Sequence, residues 1–196
     1  MNEYTIYSDM HIGGQLEINS FGEKFDGSKN KFSKNTIFLG DNFDFRNALH
    51  KNLKKLKKLR AEIKRKVVDA GGIFIDGNHE VFPLKKEDSF IVRDGILFIH
   101  GDVIEWGFKK AHRYRKKNYH GKSIFYWKIL HAFRNLCEGN KDKLTKKQIN
   151  LAVRLAKDFG CKKIVMGHFH PKKNILINKN EIQIVAIKKG ITKIPL

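Results

Sequence analysis

Two carboxylates, four imidazoles and one carboxamide stand out along the chain: Asp9, His11, Asp41, Asn78, His100, His168 and His170. Mixed nitrogen and oxygen donors of this kind suit Mn2+, Fe or Zn2+. All-oxygen sets favour Mg2+ or Ca2+, and thiolate sets favour structural Zn2+. Seven donors exceed what one ion with an open position needs. Two ions about 3.5–4 Å apart, sharing one carboxylate and a hydroxide, would use them all and would clamp a phosphoryl group for in-line attack. The hydroxide exists near neutral pH because the cations lower the pKa of bound water. The leaving oxygen then needs a proton or a positive partner, which a histidine held by a carboxylate supplies.

Such donors must be brought together by rigid elements, and the pattern of the chain supplies them. Five short apolar runs each end in a cluster of Gly, Asp, Asn or His: Tyr4–Tyr7, Thr36–Leu39, Ile73–Ile75, Ile96–Ile99 and Ile164–Met166. They read as buried strands of an α/β sheet whose C-terminal edge collects the polar residues, the edge at which ligands bind in open α/β sheets. Between them the period turns helical. Leu49, Leu53, Leu56, Leu59, Ile63 and Val67 mark one amphipathic helix, stopped by Gly71-Gly72. A second helix is expected over Ser123–Cys137 and a third after Thr145 as N-cap, stopping before Gly160. The run from Ile175 to Val185 reads as a β-hairpin, and Ser20–Asn35 as a surface loop.

The blocks Asp9-x-His11, Gly40-Asp41-x-x-Asp44, Gly77-Asn78-His79-Glu80, His100-Gly101 and Gly167-His168-x-His170 follow those strands in order. Together they resemble the five signature blocks of the calcineurin-like metallophosphoesterases. The resemblance implies a four-layer αββα sandwich, with Asp9, His11, Asp41 and His170 on one metal and Asp41, Asn78, His100 and His168 on the other, Asp41 bridging. It also implies that His79 sits beside the scissile phosphate as proton donor or electrostatic stabiliser, oriented by Asp44. Mn2+ is the metal the resemblance favours, with Fe, Zn2+ or Co2+ also compatible with the donors. Taken singly, an Asp-x-His or a Gly-His-x-His recurs by chance as a capped turn or a hydrogen-bonded histidine; five ordered blocks do not. His50, His112, His120 and His131 fall outside the blocks and read as surface residues. Asp102 either orients a ligand or caps the next helix.

The chain of 196 residues reads as one domain, and it carries 40 Lys and Arg against 20 Asp and Glu, a formal charge of +20. Such a balance points to an anionic partner, while the preponderance of Lys with Ile and Asn also matches an AT-rich genome. Two stretches hold most of the charge: 46–70, net +8, and 103–150, net +10. The second, between the fourth and fifth blocks, also contains both tryptophans and eight of the 22 aromatic residues. We read it as a helical, basic and aromatic cap over the site, with Trp106, Arg113 and Arg115 as substrate-binding candidates and Arg46, two residues after Asp44, as another. A cap of this composition suits a substrate with several phosphates and either bases to stack or acyl chains to bury. With the His100-Gly101-Asp102 block, it is similar to UDP-2,3-diacylglucosamine pyrophosphatases. Those enzymes carry Arg where this chain has His79 and Glu where it has Asp44, a pair that looks more like the family's general phosphodiesterases and phosphatases.

Three functions follow as expectations: a phosphoesterase acting on a phosphodiester or pyrophosphate of a small or lipid-linked molecule, a nuclease or nucleic-acid phosphatase, and a non-catalytic scaffold. The scaffold predicts lost ligands, and none is lost. Two cysteines, Cys137 and Cys161, read as thiols of a reducing compartment, and no apolar run reaches the ~18 residues of a membrane span. A cytoplasmic protein, with peripheral contact to an anionic membrane surface as an option, is the expectation.

Overall fold

A computed structural model of the chain describes residues 3–14, 31–80, 89–117 and 143–195. The five expected strands are all present, because each apolar run is buried on both faces. Strands β1 (Glu3–Ser8), β2 (Thr36–Leu39) and β3 (Ile73–Ile75) run parallel, and β9 (Gly190–Pro195) joins β1 antiparallel, giving the order β3-β2-β1-β9. The second sheet has the order β4-β5-β6-β8-β7. Its centre is parallel, formed by β5 (Ile96–Ile99), β6 (Lys163–Met166) and β8 (Ile182–Ala186). The antiparallel edges are β4 (Phe90–Arg93) and β7 (Ile175–Lys179), the latter forming the expected hairpin with β8.

Side-chain alternation then builds the layers. Ile37 and Leu39 of β2 face Ile96, Phe98, Val165 and Val185 across the gap between the sheets. Phe38 points the other way, onto Leu56, Ile63 and Val67 of helix α1 (Leu53–Asp69). In β5 the partition repeats, with Leu97 and Ile99 turned towards three helices: α2 (Asp102–Trp106), α3 (Phe108–Lys117) and α4 (Lys146–Asp158). The result is the four-layer αββα sandwich. Helix α4 begins as expected, with Thr145 Oγ1 accepting from the Gln148 N–H at 3.2 Å and Gln148 Oε1 accepting from the Thr145 N–H at 2.8 Å.

Strands β4 and β9 are additions to the sequence reading. Both are edges of mixed polarity, with Ile91, Val92 and Ile191 exposed, so their burial pattern is weak. The expected helix over Ser123–Cys137 and most of the Ser20–Asn35 loop lie outside the described residues.

Candidate metal centre

Strand register sets the ligand loops side by side. Tyr7 pairs with Phe38 and Leu39 with Ile75, while Ile99 pairs with Met166, so the loops after β1, β2 and β3 and those after β5 and β6 leave their sheets at common levels. The pairing continues past the strands, with the Asp9 N–H donating to Gly40 O and the His11 N–H to Asp41 O, each at 3.0 Å. The turns needed are tight. Asp9, His11, Asp41, His168 and His170 all hold positive φ between 47° and 74°, a conformation of high cost for side-chain-bearing residues that concentrates at functional sites. Gly77 is required for another reason: a Cβ there would collide with the Asp41 carboxylate.

All seven predicted donors come together. On one side, His170 Nε2 lies 2.9 Å from Asp9 Oδ1 and 3.3 Å from His11 Nε2. On the other, His100 Nε2 is 3.3 Å from both Asp41 Oδ2 and Asn78 Oδ1. The His100 Nδ1–H donates to Leu39 O at 2.9 Å, which aims Nε2 at the cluster. Three sets of donor atoms lie within 4.8 Å of one another: Asp9, His11 and His170; His11, Asp41 and His79; and Asp41, His100 and His168. Between them these sets use the loops after β1, β2 and β3 of the first sheet and after β5 and β6 of the second.

The chemistry of this donor set fits divalent cations. Asp9 and Asp41 are buried, and among the described residues no lysine or arginine pairs with either; imidazoles are their ion-pair partners, while Ser8 Oγ and the His168 N–H donate to Asp9 and the His79 N–H donates to Asp41. Burial alone would raise the Asp41 carboxyl, but the charges of His100 and His79 and the His100 hydrogen bond hold it well below the ordinary carboxylate range. Asp9 is lowered as well, its burial outweighed by His170 and His100. Burial would depress His100, and the Asp41 carboxylate instead drives it up to about 10. His11 shifts down through burial and the charge of His79, and its Nδ1 is buried without a hydrogen-bond partner, 3.6 Å from the Asp44 carboxylate. Buried carboxylates held ionised by neighbouring imidazolium charge are suited to exchange those imidazolium protons for a divalent cation.

His79 and Asp44 form the expected pair. The Nδ1–H of His79 donates to Asp44 Oδ1 at 2.8 Å, and Nε2 points back towards Asp41 Oδ2 at 4.0 Å. Burial would lower His79, yet Asp44 and Asp41 raise it. Asn47, which the sequence reading passed over, fixes the carboxylate: its backbone N–H and its side-chain amide donate to Asp44 Oδ1 and Oδ2, each at 2.9 Å. Its signal is local, an Asp followed three residues later by a residue that closes a turn. Glu80 closes the third block. Fully buried, it accepts from the N–H groups of Asp41 at 2.6 Å, Phe43 at 2.9 Å and Gly77 at 2.7 Å, tying the second loop to the third. Burial and the charges of Asp41 and Asp76 push its carboxyl up to about 8.

The substrate-binding candidates divide. Trp106 meets the His168 ring edge to face at 5.3 Å and packs on Tyr114 at 4.6 Å. The Arg46 guanidinium lies 4.8 Å over that Tyr114 ring, and its charge is felt at His79. These residues form a cation-aromatic wall beside the centre. Arg115 is a correction: it is fully buried, its Nε–H and Nη2–H groups donate to the two oxygens of Asp102 at 2.8 Å, and an Nη1–H donates to Asp76 O at 2.7 Å. A guanidinium so sealed offers nothing to a substrate. Asp102 is thereby this arginine's partner, and Gly101 is the N-cap of α2. Arg113 is exposed on α3 and makes no hydrogen bond or ion pair among the described residues. His50 and His112 are exposed, as expected of surface residues.

Comparison with known proteins agrees at the level of the family. No curated protein matches the chain. Among solved structures, a cold-active protein-tyrosine phosphatase of a psychrophilic Shewanella species is 17% identical, over 98% of this chain and 75% of that one, with a TM-score of 0.49. A predicted phosphoesterase from Streptococcus pneumoniae is 15% identical, over 96% and 74%, with a TM-score of 0.39. A dimetal phosphatase from Danio rerio is 9% identical, over 97% and 91%, with a TM-score of 0.42. The calcineurin-like phosphoesterase family matches residues 4–172, which contain all five blocks and every donor of the centre. The chain belongs to the calcineurin-like phosphoesterases, metal-dependent hydrolases of phosphoesters.

Proposed function

We propose that the chain hydrolyses a phosphodiester or pyrophosphate bond with two divalent cations, Mn2+ by preference. Asp9, His11, Asp41 and His170 would hold one and Asp41, Asn78, His100 and His168 the other. When bound, such cations bring the pKa of water into the neutral range and neutralise charge on the phosphoryl oxygens. The chain's own residues do the rest. Asp44 keeps the proton of His79 Nδ1 engaged, so Nε2 is the nitrogen that presents a proton to the leaving oxygen. Asn47 holds Asp44 in that pose. Arg46, whose guanidinium lies over Tyr114, would take a second phosphate or a phosphodiester oxygen, and Trp106, against His168, would border the leaving group. The observation that carries this reading is the convergence, from five strand ends, of two buried carboxylates, four imidazoles and the Asn78 carboxamide.

For the substrate we favour a small or lipid-linked diphosphate, of which a UDP-2,3-diacylglucosamine-type molecule is the leading case, with residues 103–150 of a single domain as its cap. Support comes from the start of that segment, where Trp106 and Tyr114 already border the centre. Nucleic acid is the second reading. Helix α1 begins just past the Asp44–Arg46 loop and exposes Lys54, Lys55, Lys57, Lys58 and Arg65 along its outer side. A steep fall of binding with added salt would support it.

The test is hydrolysis of bis-p-nitrophenyl phosphate with added Mn2+, before and after chelation. Turnover that chelator abolishes and metal restores is expected. Metal verified in the protein with no turnover on this or any of UDP-diacylglucosamine, nucleotide and nucleic-acid substrates would replace the enzyme with a scaffold.

A further inference from the structure

Helix α2 links two of the proposed ligands: it begins two residues after His100 and ends beside His168. Asp102, Val103 and Ile104 are buried and anchor it. Its outward residues, Glu105 and Trp106, both reach the same imidazole. Glu105 Oε2 accepts a hydrogen bond from His168 Nε2 at 2.6 Å, and Trp106 meets the ring at 82°. His100 and Phe169 lie edge to face with that ring, at 5.1 and 5.4 Å. Four groups thus confine a side chain that is only 12% exposed and whose backbone stands at a φ of 74°.

With Nε2 engaged by Glu105, Nδ1 is the nitrogen left for a cation, and a ring nitrogen of His168 lies within 4.8 Å of the donors of Asp41 and His100. A metal-ligating imidazole that donates its other N–H to a carboxylate has its tautomer and orientation fixed and its basicity raised. An ordinary surface ion pair would contribute little and would leave the ring free to turn. The enclosure of His168 distinguishes this contact from such a pair.

We infer that Glu105 is a positioning residue for the metal centre, holding His168 with Nδ1 towards the cation it would share with Asp41, Asn78 and His100. The inference rests on the two-cation reading above. It makes the segment after His100 part of the centre's construction as well as a wall for substrate. Glu105 touches neither substrate nor the reacting atoms in this assignment.

The experiment is Mn2+ binding to the chelated full-length protein, by competition with a chromophoric chelator, for wild type, Glu105→Ala and Glu105→Gln. Glu105→Ala should weaken one of two equivalents 10–100-fold and leave the other unchanged, the range found when such outer partners are removed. Glu105→Gln, whose amide oxygen still accepts from Nε2–H, should stay much closer to wild type. Imidazole 15N spectra of the Zn2+-loaded wild type should show His168 protonated at Nε2 and metal-bound at Nδ1. Since Glu105 is 39% exposed, melting of the chelated variants should match wild type. Two wild-type-like equivalents in Glu105→Ala, metal on His168 Nε2, or equal weakening of both equivalents with a lowered melting temperature would each overturn the assignment alone. A wild type that binds no Mn2+ would overturn the two-cation reading with it.

Discussion

Two buried ion pairs flank the centre, and they do opposite work. His79 and Asp44 face the cleft, with side chains 12% and 5% exposed, and the imidazole keeps one nitrogen towards Asp41. Arg115 and Asp102 are wholly enclosed, and the arginine spends its remaining reach on the carbonyl of Asp76, the residue before Gly77-Asn78. Both pairs lie beside ligand loops, and both contain a residue type suited to phosphate. The difference is access: a guanidinium that is wholly enclosed, with its fork on a carboxylate and a further N–H on a carbonyl, cannot reach a ligand in the cleft. Arg115 therefore joins the loops after β3 and β5 to helix α3, while His79 keeps Nε2 on the side of Asp41.

The largest effect should come from Asp41, the ligand proposed to be shared by both cations. Asp41→Asn is expected to abolish turnover and lower metal content, measured by diester hydrolysis and elemental analysis; full retention of both would remove the two-cation assignment. Next, His79→Asn should cost about 10²–10⁴-fold in kcat, the usual worth of a general acid, with both metals retained. Loss of metal in this variant would erase the distinction between His79 and the ligands. On the sealed side, Arg115→Ala leaves Asp102 buried without its partner and should destabilise the fold by about 3–5 kcal/mol in denaturant titration. Its kcat, at temperatures where it is folded, should change little, in contrast to His79→Asn.

The open side of the centre should also respond to pH. Asp41 and Asp44 are held below the ordinary 3.8, so in chelated protein their stabilisation is present above that value and is lost as pH falls below it. His100 moves the other way, from 6.5 to about 10, so its contribution is complete below 6.5 and disappears as pH rises through 10. Melting temperature against pH should fall at both ends, and His100→Asn should flatten the alkaline limb. The smallest effect is reserved for Arg46→Ala, expected to raise KM for diphosphate substrates more than it lowers kcat, without change in metal content or melting.

The centre was legible because its residues are local in sequence to strand ends. Asp9-x-His11 and Gly167-His168-x-His170 each follow an apolar run, and a run buried on both faces has a continuous hydrophobic signature that needs no partner to be read. The cap residues were harder. Arg113 and Arg115 stand two apart on one helix in the same basic stretch, and only the direction of α3 against β3 and α2 decides that Arg113 is exposed and Arg115 enclosed. Glu105 gave no sign for a similar reason, since its partner His168 is 63 residues away.

Donor types, their order and the strands that deliver them can be read along the chain, because periodicity and turn chemistry are properties of short segments. Tertiary structure decided which donors face each other, which nitrogen of His100 is left towards the centre, and which charges are spent on other parts of the chain. Those outcomes depend on the register of β1, β2 and β3 against β5 and β6 across two sheets, and the contacts that set it join residues far apart in the chain.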